Sequence, residues 1–293
     1  MAGLAVVPSA SAATNPGSLG KGLPALTAPA PPATAKTPST VHALVTAYTK
    51  VSSASFTDAA GQESFASVAC PPGTKVIGGG AVVAGSSLSE SINSSAPAVD
   101  GKSWRVWVNN AGSTNGTFVV FANCAAGIVL YTVVPGAAIL SAAGVQTAAS
   151  VTCPIGTVAL GGGGIVGSSS TAANLNSSIP TSTGWRVDAN NATASDTTVT
   201  AYIVCGKKPG KYLIVAGTTT LHNPSTQASS TATCPAGTVP FGGGHFSGSH
   251  SVKVNLNSTG PLGTGWRSYQ NNGSDGPVGV SAYVVCGKAA SAA

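Results

Sequence analysis

The sequence is short of charge. Asp, Glu, Lys and Arg together make up 7% of its 293 residues, against about a quarter in an ordinary globular chain. The 13 Lys and Arg are scattered without a run, whereas nucleic-acid recognition uses a basic stripe that neutralises phosphates. No nucleic-acid partner is therefore expected, and the formal net charge of +6 serves solubility. Material for catalysis is equally scarce. The carboxylates are Asp58, Glu63, Glu90, Asp100, Asp188, Asp196 and Asp275, at positions that do not recur along the chain. There is no GxSxG elbow, no HExxH helix and no Cys and His nucleophile set. Acid and base chemistry needs convergent titratable groups, so the expectation is a protein that is not an enzyme and carries no cofactor. His245 and His250 stand near each other in sequence, but no carboxylate or Cys joins them at a ligand spacing, so no metal site is expected.

What the chain does have is a phrase used three times: CPxGT, a Gly triplet, an Asn-Ser, a Trp-Arg, an Asn-Asn and a closing Cys. It runs through Cys70, Gly78, Asn93, Trp104, Asn110 and Cys124. It recurs at Cys153, Gly161, Asn176, Trp185, Asn191 and Cys205, and again at Cys234, Gly242, Asn257, Trp266, Asn272 and Cys286. A fixed period carrying rare residues in register means one structural unit copied. A Tyr precedes the first Cys of each copy, at Tyr48, Tyr131 and Tyr212, and a Gln follows it, at Gln62, Gln146 and Gln227, one position out of register in the first copy. These marks divide the chain into repeats at residues 43–125, 126–206 and 207–288, with a tail at 289–293. Hydrophobic content of 43% argues against disorder within the repeats.

Residues 1–13, MAGLAVVPSASAA, combine a short apolar run with an AxA-like end and read as the remnant of a secretory signal whose true start lies upstream. Residues 14–42 are rich in Pro and Ala without periodicity, as expected of a disordered linker. The protein is thus expected to be secreted, extracellular or associated with the cell surface. The six Cys fall two per repeat. Symmetry leaves two pairing schemes: closure within each repeat, or a cyclic scheme joining Cys124 to Cys153, Cys205 to Cys234 and Cys70 to Cys286. Closure within each repeat is favoured, because a loop of some fifty residues so closed stabilises its module by about 4 kcal/mol in the chain-entropy model.

One segment, Ala125 to Val145, is apolar for long enough to suggest a transmembrane helix. Its counterparts in the other repeats are polar, Pro135-Gly136 interrupts it, and β-branched residues fill it, so two strands around a turn are expected and no membrane insertion. Elsewhere the pattern alternates. In GWRVDANN, Trp185, Val187 and Ala189 face one way while Arg186, Asp188 and Asn190 face the other, and Val199, Ala201, Ile203 and Cys205 share one face of the closing strand. About six short strands per repeat are expected.

The Gly triplets lack the Lys and the following helix of a phosphate loop, and mark a bulge or a close approach of backbones. The repeated Trp is expected in the core over the disulfide. The outward face of its strand offers Arg105, Trp107 and Asn109 in repeat one and Arg267, Tyr269 and Asn271 in repeat three, suited to stacking on and hydrogen-bonding a glycan. Repeat two puts Arg186, Asp188 and Asn190 there. The sequons at Asn93, Asn176 and Asn257 read as turn residues.

The phrase CPxGT, GGG, NS, GW and AYxVC resembles a module of secreted proteins from actinobacteria and some other bacteria, over residues 43–288. Repeat one departs from it by ending FANCA and by two extra residues before Trp104. In its single-copy version the module can follow collagen-like repeats, where three chains come together, so the resemblance implies that three copies on one chain form a monomeric pseudo-trimer. The threefold logic is also similar to β-prism proteins such as jacalin-like lectins and vitelline membrane outer-layer proteins, for architecture alone. The expected fold is all-β, with three disulfide-stapled repeats in a pseudo-threefold prism, or else three beads in a row; only a prism brings the Gly triplets together. Two functions fit: a non-catalytic binding module for envelope or extracellular polysaccharide, and a structural or adhesive surface protein with no small ligand.

Overall fold

A computed structural model describes residues 45–290, so the signal remnant and the whole of the linker lie outside the described residues. The first repeat contributes β1 (Ala47–Ser52), β2 (Phe56–Asp58), β3 (Gln62–Ala69), β4 (Lys75–Val83), β5 (Glu90–Pro97), β6 (Ser103–Asn110) and β7 (Gly116–Ala126). The second contributes β8 (Thr132–Ser141), β9 (Val145–Thr152), β10 (Val158–Val166), β11 (Ala173–Pro180), β12 (Gly184–Asn191) and β13 (Thr197–Gly206). The third contributes β14 (Leu213–Ala216), β15 (Thr220–His222), β16 (Thr226–Thr233), β17 (Val239–Ser247), β18 (Val254–Leu262), β19 (Gly265–Asn272) and β20 (Val278–Gly287). No helix occurs among the described residues.

The strands form three antiparallel sheets, and no sheet belongs to one repeat. Their orders are β1-β7-β4-β18-β19-β16, β3-β6-β5-β10-β13-β8 and β14-β20-β17-β11-β12-β9. Each repeat is split into two three-stranded halves that face each other across its own core. One half continues into the sheet of the preceding repeat and the other into that of the following repeat. The ring closes because the third repeat joins the first through Thr259 and Ala81, as Ser95 joins Gly164 and Ser178 joins His245. The fold is an all-β, pseudo-threefold prism.

The Gly triplets explain how three sheets meet. A Cβ on Gly78 would lie 2.5 Å from the Cα of Gly242, one on Gly242 would lie 2.7 Å from the Cα of Gly161, and one on Gly161 would lie 3.0 Å from the Cα of Gly78. The first glycine of each triplet therefore packs backbone on backbone at the axis, where no side chain fits. That contact excludes a row of beads. The second glycine, at 79, 162 and 243, lies against the indole of its own repeat's Trp. A register shift sits just before each triplet, between Val76 and Gly78, Ala159 and Gly161, and Pro240 and Gly242, so bulge and close approach occur together.

Trp104, Trp185 and Trp266 are fully buried, and each indole N–H donates to a hydroxyl, of Ser95, Ser178 and Thr259. In repeat three, Trp266 shares a small apolar cluster with Cys234 and Cys286. The disulfides join Cys70 to Cys124, Cys153 to Cys205 and Cys234 to Cys286, which is closure within each repeat. The apolar segment of repeat two is β8, an edge strand paired to β13 with a register irregularity at Pro135. It stays one strand where repeats one and three break theirs into β1 and β2, and β14 and β15. The expected two strands around a turn are thus a single kinked strand in this copy. Val45 bridges to Ala289, so the two ends of the ring meet.

Candidate functional site

The nine candidate ligand residues lie on β6, β12 and β19, each the central strand of its half-sheet. The structure divides them. Asn109, Asn190 and Asn271 are buried, and their Nδ2 groups donate to backbone carbonyls of the next repeat: Ala173 at 2.7 Å, Val254 at 2.7 Å and Glu90 at 2.8 Å. The expected outward face is therefore outward only from its own core. At this end of the strand the following repeat covers it, and these amides fasten the two together instead of reaching solvent.

The sequon residues share that work, contrary to their expected place in turns. Asn93, Asn176 and Asn257 lie within β5, β11 and β18 at register shifts between residues 92 and 94, 175 and 177, and 256 and 258. An extra residue in one strand re-aims its side chain. Each Nδ2 then donates to the same carbonyl as its neighbouring Asn: Ala173, Val254 and Glu90. The Ser that follows accepts a backbone N–H across the boundary, Val166 onto Ser94, Ser247 onto Ser177 and Val83 onto Ser258. The marker tyrosines also cross boundaries, with Tyr48, Tyr131 and Tyr212 donating to the carbonyls of Pro240, Val76 and Ala159.

The other candidates sit where two repeats leave a gap. Trp107 lines a cleft of about 200 Å³ with Glu63, Asn93 and Ser94 on one side and Ile165 to Ser169 of repeat two on the other. Tyr269 lines the matching cleft between repeats three and one, about 280 Å³, with Gln227, Asn257, Ser258 and Val82 to Gly85. Beside the first, exposed Phe65 packs on Trp107 with ring centroids 4.7 Å apart, and the Arg105 guanidinium lies 5.7 Å from the Trp107 ring. Arg267 donates to Thr231 and to the Tyr269 hydroxyl.

The third boundary is crossed by polar ties. Asp188 is buried and pairs with Arg186 at 2.8 Å; burial pushes its carboxyl pKa up, and the guanidinium opposes that rise. Gln146 donates to Asn190 and reaches the carbonyl of Ser249, with His250 beside it. The aromatic of the other two copies has been exchanged here for an internal ion pair.

Several groups escaped the sequence reading. Strand register places Glu63 opposite Asn109, as Gln146 is opposite Asn190 and Gln227 opposite Asn271. Glu63, not Gln62, is therefore the first copy's equivalent. Burial pushes its pKa up to about 7. Asp58 and Glu90 are both buried side by side, and burial raises Asp58 to about 7 and shifts Glu90 upward as well. Asp58 occupies the position of Ser141 and His222, so a count of recurring carboxylates passes over it. His245 lies inside the fold and His250 at its surface. His245 is buried with neither ring nitrogen bonded, and burial drives its pKa down to about 3. Among the described residues no group of three or more His, Cys, Asp or Glu gathers at metal-binding range. No protein-family model matches the chain, and a comparison with curated proteins gives no match.

Proposed function

We propose that the protein is a secreted, non-catalytic binding module for cell-envelope or extracellular glycans, acting through the clefts at Trp107 and Tyr269. The observation that carries this reading is the recurrence of the cleft. Two repeat boundaries related by the pseudo-threefold axis each place a half-buried aromatic beside an Asn-Ser pair and a short loop of the adjoining repeat. An aromatic face with a few fixed polar groups around it is the arrangement that stacks on a sugar ring and orients its hydroxyls. Three disulfides fit an oxidising compartment, where such polymers lie. One chain supplies all three sectors of the prism, which supports a monomeric pseudo-trimer.

The test is direct, because the other three of the four Trp are fully buried and Trp107 dominates any ligand-dependent fluorescence change. Binding to purified envelope polysaccharides is expected to shift Trp emission, and the double variant Trp107→Ala with Tyr269→Ala is expected to lose both the shift and the retention while keeping the wild-type melting temperature. Retention equal to wild type in that variant would remove the site.

A second reading, a structural or adhesive surface protein, is favoured by edge strand β8, where Ile139 and Leu140 are 39% and 65% exposed. An unpaired apolar edge invites strand pairing with another chain. It predicts concentration-dependent association in sedimentation, and a single monomeric species at every concentration would dismiss it.

A further inference from the structure

Repeat one breaks a hydrogen bond that the other two repeats keep. Gln146 donates to Asn190 Oδ1 and Gln227 to Asn271 Oδ1, both at 2.9 Å. Glu63 holds the same register place opposite Asn109, and a carboxylate has no N–H to give. Asn109 Oδ1 is accordingly buried with no hydrogen-bond partner. The amide cannot turn to relieve this, because its Nδ2 is bonded to Ala173. Two acceptors without a donor thus meet at the wall of the Trp107 cleft, which Glu63 itself lines. No cation pairs with them: the single ion pair among the described residues is Arg186 with Asp188, and the Arg105 guanidinium, beside Trp107, donates to the carbonyl of Pro97 while its Nε stays unpaired. A carboxylate backed by an unpaired amide carbonyl makes a local pair of acceptors at the cleft wall, beside an aromatic face that already holds one cation, Arg105.

We propose that the Trp107 cleft binds glycans bearing a protonated amine, with the ammonium on Glu63 and the sugar ring against Trp107. The Tyr269 cleft, where Gln227 already satisfies Asn271, takes neutral rings. This rests on the glycan-binding reading and adds a substrate class to it. The upward displacement of the Glu63 pKa to about 7 by burial accords with a carboxylate that lacks its counter-charge.

The experiment compares glucosamine oligomers with N-acetylglucosamine oligomers of equal length, by calorimetry at neutral pH, on the full chain and on Glu63→Gln. The wild type is expected to prefer the amine form by roughly tenfold or more, the worth of a charged hydrogen bond. Glu63→Gln restores the Gln to Asn bond of the other copies, so it is expected to fold, to gain stability and to lose the preference while still binding the acetylated form. Equal wild-type binding of the two forms overturns the amine assignment and leaves the glycan reading standing. Binding of neither overturns both. A preference that survives in Glu63→Gln removes Glu63 from the role. A gain in stability in Glu63→Gln without amine binding by the wild type shows that a proton on Glu63 serves Asn109, and also overturns the proposal.

Discussion

Repeats two and three share a backbone plan and differ in what fills it. Where β12 buries Val187 and Ala189, β19 buries Ser268 and Gln270; where β10 has Gly164, β17 has His245; and Ser141 of β8 gives way to His222 of β15. Gln270 lies 3.0 Å from the His222 ring. Between Arg105 and Arg186 the chain has no charged residue and no His, whereas repeat three has two buried His. Both interiors nonetheless support the same three-stranded halves. The features they have in common, the axial glycine, the disulfide, the Trp under its glycine and the paired Asn fasteners, are therefore the ones that specify the fold. The interior between them tolerates exchange of apolar for hydrogen-bonded polar groups.

The comparison breaks most severely at the axis. Gly161→Val would drive a side chain into the backbone of Ile77 and Gly78. A loss of more than about 4 kcal/mol, read as the absence of a cooperative urea transition, is expected. Gly242→Val should do the same, and a mild effect of either would show that the three repeats do not share one axis. The fasteners come next. Asn190→Ala and Asn271→Ala each remove a buried donor to a carbonyl of the adjoining repeat, and each is expected to cost about 1–3 kcal/mol in urea unfolding. A clear inequality would mean that the interior of the repeat, and not the fastener, sets the strength of the boundary.

The polar interiors are read by pH. His245 is held neutral, with its pKa lowered to about 3 by burial, so the unfolded chain takes up the proton first, at about 6.5. Its contribution is full above about 6.5 and is lost as pH falls towards 3. His245→Ala, which places in repeat three the residue that Ala81 is in repeat one, should flatten the acid side of a plot of melting temperature against pH. Asp58 behaves oppositely. Its pKa is raised to about 7, so the stability of the protonated form is full below about 4 and is lost as pH rises through 7. Asp58→Asn should raise the melting temperature above neutrality and leave it unchanged in acid. An unchanged curve in His245→Ala would mean that its buried imidazole does not set repeat three apart from repeat two, and an unchanged curve in Asp58→Asn would mean that burial does not hold that carboxyl protonated.

Much of this fold can be read from residues whose chemistry is local. Two Cys per period, a Trp on an alternating strand and a Gly triplet without a helix after it each admit few structures, and disulfides, core Trp and axial glycines follow. The inter-repeat pairing is harder, because its agents look like something else. Asn93, Asn176 and Asn257 carry turn chemistry in sequence, and only the bulge that turns them towards the next repeat makes them fasteners. The candidate site was half visible. Trp107 and Tyr269 stood out as exposed aromatics in an alternating pattern, but Asn109, Asn190 and Asn271 belong to a face that another repeat covers. Glu63 was hidden by one residue of register, since linear spacing selects Gln62 and strand pairing selects its neighbour. Asp58 and Glu90 meet across the repeat from distant strands, which no spacing rule detects.

The bridge from Val45 to Ala289 has a consequence for what counts as the beginning of this molecule. Each repeat gives half of itself to the one before and half to the one after, and the last gives its second half to the first. In space there is no leading copy and no trailing one, and covalent order is a single cut in an otherwise seamless circuit. Joining residue 289 back to 45 and opening the backbone between any two repeats would leave the axis, the three sheets and both clefts where they are.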